Sequence, residues 1–369
     1  MARKSPIVPA LAVVMFLYVI YYCSSTPSAA VASGVMLSTA LLKADPKGYQ
    51  QLVRQRLEHQ FQYDLSDKMQ QQFPKVIWQT WKYLPSDKRF STRFRTTEAS
   101  WTKENEAAGY VHEVVDDETA GVLVDQLFMS VPEVVEAYHS MPAAILRADF
   151  FRYLILLARG GVYSDIDTMA LKAVTEWIPS GLSSVEDRDG KPVIPDDAEG
   201  LQPSARAANE HAAGLVVGVE ADPDRPDWHD WYARRLQFCQ WTIQAKRGHP
   251  VMAEIVADIT RQTLERKMQG RLELPKTKDS GSQIMDWTGP GVWTDTVFKY
   301  LAKFNISWKN ITNLKKGVKI GDVVVLPITS FSPGVGTMGA QSVDHPHAFV
   351  QHIFEGSWKP ARERKIGGG

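Results

Sequence analysis

Residues Arg147 to Asp167 constrain what this chain can fold into more than any other stretch. Leu146, Phe150, Tyr153, Leu154 and Leu157 recur at the spacing of one helix face, followed by Gly160, Gly161 and the run Val162-Tyr163-Ser164-Asp165-Ile166-Asp167. The spacing predicts a helix beginning near Pro142 with a buried stripe along it. Gly160 is placed to end that helix in the left-handed conformation, and Gly161 to turn the chain tightly into a short strand. Alternate residues of a strand share a face, so Asp165 and Asp167 point together while Ile166 points into the core. Two carboxylates aimed at one spot suit a hard divalent cation, whose other positions go to phosphate oxygens and water. The competing explanation is a solvated turn, where aspartates gather for local hydrogen bonding. The helix and glycine pair that frame the spot favour a site.

The rest of the chain alternates strands and helices. Val76 to Trp81 has the β-branched and aromatic content of a first strand, and a helix is expected near Asp117 to Met129. Residues 180–213 are polar and acidic and read as a surface loop or insertion. Gly214 to Glu220 reads as a buried strand, followed by helices at Trp228 to Lys246, Pro250 to Met268 and Val292 to Phe304, with Asp322 to Pro327 as the last core strand. Such alternation predicts an α/β sheet whose ligands sit beyond the carboxyl ends of its strands, where Asp165 and Asp167 fall.

Forty-two basic and 42 acidic residues cancel, and no basic stripe runs along the chain, which argues against nucleic acid as a partner. Residues Ile7 to Tyr22 are almost entirely apolar, preceded by Arg3 and Lys4 and followed by no charge until Lys43. As a helix this segment is roughly 24 Å long, adequate for a thin bilayer, and the charge bias places the N-terminus in the cytosol. The expected organisation is a cytosolic tail at 1–6, a signal anchor at 7–23, a luminal stem at 24–72, a catalytic domain at 73–360 and a tail at 361–369. A cleaved signal peptide ending near Ala30-Val-Ala32 is the alternative, against which the apolar run is somewhat long. Sequons at Asn305 and Asn310 agree with a secretory route, and only Cys23 and Cys239 are present, so no disulfide can form inside the soluble domain.

The run from Arg147 to Asp167 resembles the DxD sugar-binding signature of glycosyltransferase family 32, and Pro74 to Trp81 resembles that family's opening strand. Gly214 to Glu220, Thr288 to Thr294 and His352 to Trp358 agree with its fungal branch of Golgi α-1,6-mannosyltransferases, in order over residues 73–359. The resemblance implies a single GT-A catalytic domain, a Rossmann-like mixed sheet flanked by helices, in a type II Golgi membrane protein. It implies retaining transfer from a nucleotide sugar, GDP-mannose, to an N-glycan, with Mn²⁺ or another divalent cation. Asp165 and Asp167 would contact donor and metal, and His352 the metal or diphosphate. Asp149, Arg152, Tyr163, Trp78 and Trp358 would lie on the donor. Many relatives in the wider family carry His-Gln where this chain has Trp78-Gln79.

Each assignment has a plainer alternative. Asp149 and Arg152 are three apart and also suit a surface ion pair of little energetic consequence. His352, Trp78, Trp358 and Tyr163 also suit structural positions. Asp286 stands as either the acceptor-side carboxylate or the N-cap of a helix starting near Gly291. The rival functions are a family relative with another acceptor, such as inositol phosphoceramide, and a non-catalytic glycan-binding or assembly subunit. Pairing with itself or another chain is left open.

Overall fold

Short strands build the central sheet, those at its middle buried on both faces. The computed structural model describes residues 39–64, 72–178, 182–184, 212–274 and 279–355. The chain divides into two compact units, Met1–Leu52 and Val53–Gly369. In the first, the described residues are helical at 39–44 and again from Pro46. The expected anchor lies outside the described residues, among which no helix is long and apolar enough to cross a membrane.

The second unit holds strands β1 (Val76–Thr80), β2 (Val111–Val115), β3 (Gly161–Ser164), β4 (Thr168–Ala170), β5 (Ser183–Ser184), β6 (Leu215–Ala221), β7 (Gln237–Phe238), β8 (Thr242–Ala245), β9 (Val318–Ile320), β10 (Val323–Leu326) and β11 (Val350–His352). Their order in the main sheet is β2-β1-β3-β8-β6-β10-β9-β5, with β7 beside β6, while β4 and β11 form a separate two-stranded ribbon. Strands β2, β1 and β3 run parallel, β8 runs against both β3 and β6, and β10 is parallel to β6. This is the expected α/β fold with a mixed sheet flanked by helices. The helices are α1 (Pro46–Gln60), α2 (Arg95–Asn105), α3 (Asp117–Leu127), α4 (Pro132–Ser140), α5 (Ala144–Arg159), α6 (Pro250–Met268), α7 (Asp279–Trp287), α8 (Pro290–Leu301) and the single turn α9 (Ile328–Phe331).

Three local expectations are corrected. Helix α5 is buried on every side from Asp149 to Ala158, because α6 and α3 pack on it as well as the sheet, so its apolar stripe marked only part of its contact surface. Gly160 has φ 68° and ψ −165°, a glycine-only extended conformation in place of the left-handed one. At Gly161 (φ 100°) a Cβ would meet the Val76 carbonyl oxygen at 2.5 Å, so β3 enters beside β1 only without a side chain. Residues 228–246 do not form a helix: a 3₁₀ turn at Trp228–Asp230 is followed by β7 and β8. Strand β8 is buried at all four positions between β3 and β6, and a strand covered on both faces lacks the alternation that would have revealed it.

The second unit begins at Val53. Val53 and Leu57 are buried, the Phe61 and Phe128 rings lie 5.2 Å apart, and Arg56 pairs with Glu133 at 2.6 Å. Tyr63 then reaches Asp322, just before β10, donating to Oδ2 at 2.6 Å. Asp322 is fully buried, accepts from Tyr300 at 2.7 Å, and lies 3.3 Å from His249 Nε2. Burial alone would raise its pKa, but His249 and the two phenols outweigh it and hold the carboxyl at about 2. A folded pKa below the usual 3.8 contributes stability that is present above about pH 4 and lost as pH falls through 2, worth about 2 kcal/mol. Asp322→Asn should cost about 2 to 4 kcal/mol at pH 7 by chemical denaturation, a gap that narrows toward pH 2.

Candidate active site

Strand β1 lies between β2 and β3, so the chain leaves it first to one side and then to the other. That switch point opens a crevice beyond the carboxyl ends of the strands. Beyond β1 and β2 it contains a cavity of about 450 Å³ lined by Lys82, Tyr83, Arg89, Asp116, Asp117 and Glu118. Beyond β3 stand the two aspartates.

Strand β3 ends at Ser164, so Asp165 and Asp167 are not alternate residues of a strand, as expected, but the two ends of a tight turn. Thr168 closes the turn, with its amide 3.1 Å and its hydroxyl 2.6 Å from the Asp165 carbonyl. Gln79 of β1 donates to the same carbonyl at 3.0 Å, and the Asp165 amide donates to the Trp241 carbonyl at 2.8 Å. Ile166, between the acids, is buried with Phe90 and Phe94, as expected. The carboxylates converge because the turn is held from three sides.

Behind Asp165 lies an ionic stack. Arg152 is 2 % exposed and its two terminal nitrogens donate to Asp149 Oδ1 at 2.7 Å and to Asp165 Oδ1 at 2.9 Å. Asp149 receives a further hydrogen bond from the Thr288 hydroxyl at 3.0 Å. The guanidinium sits 5.1 Å over the Tyr163 ring, whose hydroxyl bonds that of Thr80 at 2.9 Å. The surface-pair alternative for Asp149 and Arg152 therefore falls. Burial pushes the Asp149 carboxyl up to about 6, against the pull of Arg152. Asp165 is raised for the same first reason, again against Arg152, with Asp167 adding to the rise.

His352 arrives from the far end of the chain. Strand β11 pairs with β4 so that His352 lies opposite Thr168, and its Nε2 is 3.2 Å from Asp167 Oδ1. Trp241 stacks on the imidazole with centroids 4.5 Å apart, and Phe354 covers it at 4.1 Å. The Ile353 amide bonds the Asp167 carbonyl at 3.0 Å, and the Glu355 amide bonds its Oδ2 at 3.2 Å. Burial opposes ionisation of Asp167, but His352 prevails and lowers its pKa.

One ligand atom from each of Asp165, Asp167 and His352 lies within 4.8 Å of the others. The His352 Nδ1 is buried without a partner, and so is Arg152 Nε. Two carboxylates and an imidazole fit a first-row divalent cation and leave room for diphosphate oxygens and water.

Other expected residues fall elsewhere. Trp78 donates to the Gly160 carbonyl at 3.0 Å, at the opposite end of β3 from the acids. Trp358 lies outside the described residues. Asp286, half exposed on α7, pairs with Arg234 at 3.1 Å and does not cap α8, whose N-cap is Gly289. Gln79, Trp241 and Thr288 support the site without having been singled out. Gln79 lies inside the Val76–Trp81 strand and Thr288 opens the Thr288–Thr294 stretch, whereas Trp241 lies in a run whose sequence reads as helix.

A switch-point crevice with two carboxylates and an imidazole at its mouth can hold a divalent cation beside a phosphate-bearing ligand. The family described as "Glycosyltransferase sugar-binding region containing DXD motif" matches residues 91–183. The initiation-specific alpha-1,6-mannosyltransferase of Candida albicans is 47 % identical over 83 % of this chain and 76 % of its own length. Those of Schizosaccharomyces pombe and Saccharomyces cerevisiae are 45 % and 36 % identical, over 78 % and 85 % of this chain and 64 % and 83 % of their own. Among solved structures, the PaToxG glycosyltransferase is similar with TM-score 0.37 and 14 % identity over 72 % of this chain and 81 % of that one, too loose a likeness to argue from. The chain belongs to the DXD glycosyltransferase family that these mannosyltransferases share.

Lysine cannot reproduce the two-armed bridge of Arg152. Arg152→Lys should lower turnover about tenfold to a hundredfold while the far-ultraviolet circular dichroism stays that of the wild type, as seen by steady-state sugar transfer.

Proposed function

We propose that this protein is a retaining α-1,6-mannosyltransferase that moves mannose from GDP-mannose to the core of N-linked glycans, initiating an outer mannan chain. The observation that carries the reading is the meeting of Asp165, Asp167 and His352 within 4.8 Å at the crevice. Identity of 36 % to 47 % to three enzymes named for that initiation step supports the linkage and acceptor. The cluster would hold Mn²⁺, which when bound neutralises charge on the departing diphosphate.

The chain's own side chains then have distinct tasks. Arg152 and Asp149 fix the direction of Asp165, and Trp241 and Phe354 pack against the His352 ring. Tyr163 supports the Arg152 guanidinium from below through its ring. The cavity beyond β1 and β2 would receive the nucleoside. The apolar segment at 7–23, with Arg3 and Lys4 before it, supports a single-pass type II anchor that sets the catalytic domain in the Golgi lumen.

Purified protein should release GDP from GDP-mannose and extend a high-mannose oligosaccharide only when Mn²⁺ is supplied. Removing the ion with chelator should abolish both and its return restore them. Preference for a UDP-sugar across a donor panel would overturn the mannosyl assignment, and inactivity with every donor and acceptor would overturn the enzyme.

A further inference from the structure

Glu220 is the one residue of β6 that is not buried, and it stands near the strand's carboxyl end. Val216 and Gly218 precede it on the strand, and the pairing of β6 with β7 slips by one residue between Val219 and Ala221, a bulge centred on Glu220. Val216 belongs to the core containing Trp241, Phe331 and Val350, which is packed so closely that a Cβ on Gly218 would lie 2.4 Å from the Phe331 ring. Val350 of that core lies on β11, the strand that ends in His352. Glu220 and His352 are close enough that each acts on the other's charge.

The carboxylate is held by one oxygen. Gln237, 1 % exposed, donates from Nε2 to Glu220 Oε2 at 2.8 Å. The other end of that amide accepts from the backbone amides of Ala233 at 2.8 Å and Arg234 at 3.2 Å. Gln237 therefore cannot turn over: its NH₂ must face Glu220, and Glu220 must meet it as an acceptor. Among the described residues no other side chain donates to Glu220, which leaves its second oxygen for a ligand, and burial pushes the carboxyl up to about 7 against the Gln237 hydrogen bond and the charge of His352.

The order of the sheet says which ligand. The cavity lies beyond β2 and β1, the acidic cluster beyond β3, and Glu220 beyond β6, separated from β3 by β8 alone. A donor with its nucleoside in the cavity and its diphosphate at the cluster carries its hexose onward to the β6 side, where the acceptor must approach. The same hydrogen-bonded network runs on from Gln237 to Arg234, which reaches Asp286 at 3.1 Å and Asp295 at 2.6 Å on the exposed rim. A row of polar groups from Glu220 outward suits an oligosaccharide.

We propose that Glu220 is an acceptor-binding residue whose free oxygen accepts a hydrogen bond from a hydroxyl of the incoming mannose-ended glycan. The assignment rests on the transferase reading above.

The test is Glu220→Gln in the full-length protein. With Gln237 still donating to one end of the new amide, its NH₂ is what meets the acceptor, so an acceptor is replaced by a donor at the atom concerned. Initial rates at saturating GDP-mannose with varied high-mannose oligosaccharide should show kcat/KM for the glycan reduced about tenfold to a hundredfold, mainly through KM. Calorimetric binding of GDP in the presence of Mn²⁺ should stay within about threefold of wild type, which also shows that the variant is folded. Glycan kinetics indistinguishable from wild type would overturn the proposal. So would a loss of GDP binding that matches the loss of transfer, since Glu220 would then serve the donor or the fold. A wild-type protein that transfers nothing from GDP-mannose would instead remove the transferase reading, and this assignment with it.

Discussion

Arg152, 2 % exposed, lies between Asp149 and Asp165 and donates to both, and the site is arranged around that buried bridge. Burying a guanidinium and two carboxylates carries a desolvation cost that their attraction only partly returns, so the bridge is poor evidence of stability. What it does supply is direction. A planar fork satisfied at two ends has little freedom, and Asp165 is held toward His352 and, despite the repulsion between the two carboxylates, toward Asp167. The group also carries more negative than positive charge, with three carboxylates facing one guanidinium and one imidazole. A divalent cation would cancel that excess where it is greatest.

The bridge exists because of backbone features on either side of it. Helix α5 supplies Asp149 and Arg152, and β3 carries Asp165 to the end of the sheet. The Gly160-Gly161 corner sets the distance between them by letting β3 lie against Val76 with no intervening side chain. The turn after β3 sends the chain into β4, which recruits β11 and with it His352. One tight turn thus performs two tasks: it brings Asp165 and Asp167 together, and it starts the ribbon that delivers His352 from 185 residues away.

Much of this was legible in the sequence, for physical reasons that differ from residue to residue. Helix α5, the glycine corner and the paired acids lie within 25 consecutive residues, so local periodicity and turn chemistry reveal them. Helix α6 was placed at its observed ends because Pro250 at its first turn marks the start. Strand β8 was missed because it is buried on both faces, and a run of that kind has no period to read. Trp241 and Gln79 escaped notice because they act through backbone carbonyls and ring stacking, which leave no pattern along the chain. His352 was reached only through likeness to a family, since nothing near it in sequence marks it as a ligand.

The central claim is that a single divalent cation is held jointly by the turn and the ribbon. Anomalous scattering at the manganese edge, from crystals grown with Mn²⁺ and GDP, tests it most directly. The account predicts one strong peak within coordination distance of Asp167 and His352 and on the Asp165 side of the turn. A peak elsewhere, or Mn²⁺ bound with His352 still turned onto Asp167 and away from the ion, would contradict it.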